Sequence, residues 1–171
     1  MQTITTAELV LEPLTVAHAQ AMFEVLADPE IYHYLDYPPP PSAEHLRTVY
    51  ARVEARQSPD GQQTWLNWVV RPQGGPAPVG YVQATVVSTG DVASIGYVLS
   101  SRHWGHGYAY GAVQAMLEHL PMAYGVRRFL ATVEVENRRS IRLLERLAFR
   151  PATESEIAGH ELSATERLFV R

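Results

Sequence analysis

Between a β-branched run and a strongly amphipathic one lies the segment Ser101-Arg-His-Trp-Gly-His-Gly-Tyr-Ala-Tyr-Gly111. No other feature of the chain restricts its fold as much. A strand that passes through such a turn into a helix leaves the first helical N–H groups without intrahelical partners. The helix dipole adds partial positive charge there, so the turn is an anion site. Gly105 and Gly107 let the backbone approach a bulky phosphate with no Cβ in the way, and a pyrophosphate suits them. A dinucleotide fingerprint would need a third glycine three places after the second and an acidic residue about 20 places further on. Here the third glycine is Gly111, one place late, and Ala131 stands at the acidic position. A Walker loop is excluded because no Gly-Lys-Ser/Thr occurs. Glycines that serve only a tight strand-to-helix turn are the plainer alternative.

The flanking periodicities predict the fold class. Residues 9–14 read as a first strand, and Thr15 as the cap of a helix carrying Val16, Ala19, Met22, Phe23 and Leu26. Ser42 caps a second helix, in which Leu46, Val49, Tyr50 and Val53 recur at i, i+3, i+4, i+7. Then the period changes. Residues 65–71, 79–88 and 92–100 are β-branched and aromatic, broken by Gly74-Gly75-Pro76 and Gly90-Asp91, and read as a meander of strands. The third helix follows the glycine turn, with Ala109, Ala112, Val113, Met116, Leu117 and Leu120 in one stripe and Pro121 expected to stop it. Residues 129–135 form another strand. Asn137 caps a fourth helix, with Ile141, Leu144 and Leu147 inward and Arg138, Arg142, Glu145 and Arg146 outward. Residues 167–171 close the sheet. The order predicts one domain over residues 1–171, a mixed α+β sandwich with helices on both faces of one sheet, not a doubly wound nucleotide fold.

Cysteine is absent, which excludes disulfides, thiolate metal sites and a cysteine acyl-enzyme. The net charge of −4 and pI near 6.0 argue against a nucleic-acid partner held by bulk electrostatics. All fourteen basic residues are arginine, and those from Arg138 to Arg150 solvate one helix face. No apolar run approaches the ~20 residues that span a bilayer, and the N-terminal stretch lacks a basic segment followed by an apolar one. No membrane partner and a cytoplasmic location are expected. His103-x-x-His106 is the closest histidine pair, but it has no third ligand nearby, so no metal is expected.

Trp104-Gly105-His106-Gly107-Tyr108-Ala109 resembles motif A of the GNAT acyltransferases, usually written Gln/Arg-x-x-Gly-x-Gly/Ala. Trp104 stands where Gln or Arg is commonest, a replacement usual in the RimJ/RimL-like branch, and His106 where lysine is frequent. Ile95-Gly96-Tyr97-Val98-Leu99 is similar to the family's central strand. Downstream, Ala131-Thr-Val-Glu-Val-Glu-Asn137-Arg-Arg-Ser140 and Leu143-Leu-Glu-Arg-Leu-Ala-Phe149-Arg resemble its asparagine-x-x-serine helix followed by Lys-Leu-Gly-Phe, with Ala148 in the glycine's place. The stretch from Asp28-Pro29-Glu30 to Pro41 also resembles this branch. The matches run in order over nearly the whole chain.

The resemblance implies a GNAT fold, a central twisted and mostly antiparallel sheet whose central strands splay apart around the co-substrate. It implies acetyl-CoA, held by the backbone of Val98 and Leu99, by the turn residues Trp104, Gly105, His106, Gly107, Tyr108 and Ala109, and by Asn137. Ser140 is then the catalytic candidate beside the thioester sulfur. Asn137 also reads as a simple helix cap, and Ser140 as a neutral hydroxyl in a first helical turn. The expected reaction is direct attack by a neutral primary amine in a ternary complex, without an acyl-enzyme. A backbone N–H of Val98 or Leu99 faces the oxyanion, and Ser140 protonates the sulfur. For the base, Glu134, Glu136 and a water chain stay open. Residues 31–37, rich in tyrosine, correspond to the loop that lines the acceptor pocket, or pack under the proline run. The partners expected are acetyl-CoA and an amine acceptor, with a homodimer left open. The rival reading is a GNAT-fold domain that binds CoA or a metabolite without turnover, as a sensor or interaction module.

Overall fold

Alternation along the strands decides which face each side chain covers. The computed structural model describes residues 1–88 and 90–171. Among them, β1 (Ile4–Thr5), β2 (Leu9–Pro13), β3 (Gln63–Pro72), β4 (Gly80–Val87), β5 (Val92–Leu99), β6 (Arg128–Glu134), β7 (Arg150–Pro151) and β8 (Glu166–Val170) form one sheet. Its order is β1-β2-β3-β4-β5-β6-β8-β7. The β5–β6 pair is parallel and the other pairs are antiparallel. The helices are α1 (Ala19–Leu26), α2 (Ala43–Val53), α3 (Tyr108–Tyr124), α4 (Arg138–Arg146) and the short α5 (Glu154–Ile157).

Leu66, Trp68 and Val70 of β3, Val82 and Ala84 of β4, and Ile95 and Leu99 of β5 pack with the α3 stripe and with Leu144 of α4. Val69 and Val98 point the other way and join Met22 and Leu26 of α1 with Leu46 and Tyr50 of α2. Helices therefore cover both faces, as the patterning requires. Each fully buried Leu or Met stabilises this arrangement by roughly 1.5–3 kcal/mol.

The caps work largely as the sequence reads. Ser42 Oγ accepts from the His45 N–H at 3.0 Å and starts α2. Thr15 also caps, but the turn after it is 3-10 (Val16–His18), and the Thr15 N–H donates to His18 Nδ1 at 3.1 Å. The α-helix proper begins only at Ala19. Pro121 does not stop α3. The helix runs on to Tyr124 and closes at Gly125, at φ +74°, whose N–H donates to the Pro121 carbonyl at 3.1 Å. Proline removes only the donor that would meet the Leu117 carbonyl, and buried Leu120 and Val126 hold the last turn down.

The sheet divides at its centre. The β5–β6 pairing covers only residues 92–94 against 128–130. Beyond that, β5 stays with β4 as far as Leu99, and β6 stays with β8 as far as Glu134. Residues 95–99 and 131–134 therefore diverge and leave a wedge between them, the splay expected of the fold.

Candidate active site

At the mouth of the wedge, Gly105 and Gly107 sit at φ +82° and +80°, a region that costs an L side chain about 1–2 kcal/mol. A Cβ built on either would meet nothing within 4 Å. The glycines thus set the turn's conformation, and the space above them is open. Gly107 is the N-cap of α3 and offers no side-chain acceptor, so the amides of Tyr108, Ala109 and Tyr110 are the orphan donors of the helix start. His106 stacks on Tyr108, with ring centroids 5.7 Å apart, and its Nδ1 lies 3.1 Å from the Trp104 carbonyl. A carbonyl only accepts, so Nδ1 carries the hydrogen and Nε2 is the free nitrogen.

The open edge of β5 has a definite pattern. Ser100 N–H donates to the Val79 carbonyl at 2.9 Å, and Val98 is the register partner of Tyr81. Antiparallel alternation then commits the amides of Val98 and Gly96 to β4 and turns those of Tyr97 and Leu99 to the wedge. Of the two expected oxyanion donors, Leu99 alone faces the opening, while the Val98 side chain is buried against the α1–α2 layer. The Leu99 carbonyl accepts from Trp104 Nε1 at 2.9 Å. The Arg139 guanidinium lies 3.7 Å over the Trp104 ring, a cation–π contact that ties α4 to the glycine turn.

Across the wedge, Asn137 Oδ1 accepts from the Ser140 N–H at 3.1 Å and caps α4. Tyr97 Oη lies 2.7 Å from Ser140 Oγ and 3.4 Å from the Ser140 carbonyl. Burial pushes the Tyr97 phenol up to about 12. On the opposite face of the sheet, Tyr37 Oη lies 3.0 Å from Tyr81 Oη, and the Tyr32 ring meets Tyr37 edge-on at 6.1 Å. Burial raises the phenols of Tyr32, Tyr37, Tyr50 and Tyr81. Tyr32 and Tyr37 come from the loop between α1 and α2, Tyr50 from α2 and Tyr81 from β4; residues 31–37 of that loop are the stretch expected either to line an acceptor pocket or to pack under the proline run. Asp28, at the start of that loop, holds it to the end of β5. Its Oδ2 accepts from Ser101 N–H at 2.6 Å and from Ser100 Oγ at 3.0 Å.

Residues 8–150 match the family model described as an acetyltransferase (GNAT) domain. The chain belongs to the GNAT acetyltransferase family. It is 28% identical over 151 residues, 88% of this chain and 83% of the relative, to an uncharacterized N-acetyltransferase p20 of Bacillus licheniformis. Its fold matches that of RimL, a ribosomal L7/L12 α-N-protein acetyltransferase in complex with coenzyme A, at a TM-score of 0.83 and 19% identity, over 99% of this chain and 97% of that one. A GNAT acetyltransferase from Bacillus anthracis matches at 0.78 and 20% identity, over 99% and 98% of the two chains.

This GNAT protein is an acetyl-CoA-dependent N-acetyltransferase. Contacts link Leu99, Trp104, His106, Tyr108, Asn137 and Ser140 of the expected set around one wedge, beside the bare turn of Gly105, Gly107 and Ala109. Among the described residues no side-chain hydrogen bond joins Glu134 or Glu136 to Tyr97, Ser140 or the turn. Sequence reasoning missed Tyr97, Arg139 and the anchoring role of Asp28. Alternation places Tyr97 on the α3–α4 face with Ile95 and Leu99, but a partner 43 positions away leaves no local signal.

Proposed function

We propose that this GNAT enzyme transfers an acetyl group from acetyl-CoA to a primary amine, a protein N-terminal α-amine or a small-molecule amine, by direct attack in a ternary complex. The observation that carries the reading is the wedge, where an unpaired β5 edge over residues 95–99 meets an uncapped helix start at two left-handed glycines. These features fit the co-substrate. The amides at 108–110 and the α3 dipole suit its diphosphate, the edge amides its pantetheine arm, and Asn137 stands beside them. Acetyl-CoA supplies the activated acyl group, and the chain's own residues orient it. The Leu99 N–H supplies a preorganised donor for the oxyanion, and the Ser140 hydroxyl one for the sulfur. A water chain takes the ammonium proton, since among the described residues no carboxylate hydrogen-bonds to Tyr97 or Ser140.

Two observations favour an α-amine acceptor. RimL, which shares this fold, acts by its name on a protein α-amine. The acceptor wall here is phenolic, and burial keeps those phenols protonated. A neutral wall suits an amine flanked by peptide groups better than a polycationic drug.

A thiol-release assay over free-N-terminus peptides and small amines tests the transfer, and release is expected with at least one of them. Calorimetry on Gly107→Glu tests the cradle. A carboxylate beside the diphosphate is expected to weaken CoA binding roughly 10–10³-fold, so a folded variant that binds like the parent overturns that part. Tight acetyl-CoA binding with no thiol release for any amine overturns the transfer and leaves a binding module.

A further inference from the structure

We infer that Tyr97 is a positioning residue that turns the Ser140 hydroxyl hydrogen into the wedge, toward the leaving sulfur, an inference that rests on the acetyl transfer proposed above. Tyr97 Oη has two acceptors within reach, Ser140 Oγ at 2.7 Å and the Ser140 carbonyl at 3.4 Å. The carbonyl can only accept. The phenol has a single hydrogen, and as the stronger acid at the shorter contact it donates that hydrogen to Ser140 Oγ, with the carbonyl 3.4 Å away as the weaker second acceptor.

The remaining groups of Ser140 are accounted for in the same way. Its N–H is held by Asn137 Oδ1 at 3.1 Å. Once its Oγ accepts from Tyr97, its own hydrogen is the one polar group left over. Among the described residues no other side chain bonds to that Oγ. Tyr97 lies on the unpaired stretch of β5 and Ser140 in the first turn of α4, so the pair spans the wedge where the two halves of the sheet part.

The burial that raises the phenol to about 12 keeps Tyr97 protonated through the turnover. It donates a hydrogen bond and gives up no proton. In the transfer, the amine nitrogen forms a bond to the acyl carbon and the carbon–sulfur bond breaks with its electron pair on sulfur. The nitrogen's proton passes to water. The thiolate accepts the Ser140 hydrogen bond as it leaves and takes its proton from water.

Parent, Tyr97→Phe, Ser140→Ala and the double variant provide the test. Tyr97→Phe is expected to lower kcat about three- to tenfold, the effect of one neutral hydrogen bond. Its affinity for acetyl-CoA by calorimetry and its KM for that substrate are expected to stay at parent values. The double variant is expected to be no slower than Ser140→Ala, because Tyr97 acts only through that hydroxyl. With an acetyl donor whose leaving atom is selenium, which departs readily as the anion, the Tyr97→Phe defect shrinks. Parent-like kcat in Tyr97→Phe or in Ser140→Ala overturns the inference. So does a double variant slower than Ser140→Ala by the full Tyr97 factor, or a defect of equal size with both donors, which marks a structural role. If the parent releases no thiol with any amine, the transfer reading fails first, and this inference with it.

Discussion

Ala148 holds a backbone conformation that its own side chain resists. Its φ is +62°, where GNAT proteins of this pattern place glycine, and it follows α4 with its N–H donated to the Glu145 carbonyl at 3.0 Å. A left-handed L residue costs about 1–2 kcal/mol, and glycine adds about 0.4–1 kcal/mol of unfolded-state entropy against that gain. Ala148→Gly is therefore expected to stabilise the fold by about 0.5–1 kcal/mol, raising Tm by about 1–4 °C for a chain of this size. Acetyl-CoA affinity should not change, and a lower Tm would refute the strain. His106 invites the opposite experiment. It stands at the open cradle with one ring nitrogen committed to the Trp104 carbonyl. His106→Lys places a fixed charge there, and calorimetry is expected to show acetyl-CoA binding about three- to tenfold tighter, with the gain fading in high salt. Both substitutions sit at departures from the family pattern that are visible in the sequence. Tyr97 departs from nothing visible, and its importance appears only when the chain is folded.

Elements with a long period were legible, and those fixed by one local bond were not. The meander of β3, β4 and β5 and the stripe of α3 repeat often enough for pattern alone to find them. The strands β1 and β7, at two residues each, and the four-residue α5 have no period to read. Pro121 misled because helix-breaking was argued from one missing donor, while the buried residues around it and the Gly125 cap decide where α3 ends. The link between Asp28 and the end of β5 shows the same limit, since it joins residues 72 and 73 positions apart. Burial raises the Asp28 carboxyl, but its bonds from Ser101, Glu30 and Ser100 prevail and hold it below the usual 3.8. A carboxyl depressed on folding stabilises above its unfolded pKa, and that stability is lost as pH falls through the folded value. Denaturant titrations between about pH 2 and 5 should therefore show a steeper acid limb for the parent than for Asp28→Asn. Equal limbs would remove Asp28 as the carboxylate that holds the loop between α1 and α2 to the end of β5.

At the scale of the molecule, the sheet is two half-sheets that share a short hinge. The strands β1 to β5 form one half and β6 to β8 the other, joined within the sheet by the pairing of residues 92–94 with 128–130. Composition and period cannot show such a division, because each strand on either side of it looks complete. Resemblance to GNAT proteins anticipated it, and the register of β5 makes it concrete. A ligand that filled the wedge would pair with the free edge of one half with Asn137 and Ser140 of the other alongside, so binding and cohesion of the halves would be one event. Acetyl-CoA at 100 times its Kd is then expected to add about 2.7 kcal/mol to stability, or about 5–10 °C in Tm for a chain of this length. The amides of Tyr97 and Leu99, which face the wedge, should gain protection from hydrogen exchange in the same sample, while those of Val98 and Gly96, already bonded to β4, should change little. NAD, which lacks the pantetheine arm, is expected to produce neither effect. A thermal shift of equal size with NAD, or protection confined to the glycine turn, would mean that the diphosphate alone is held and that the wedge is not where the arm lies.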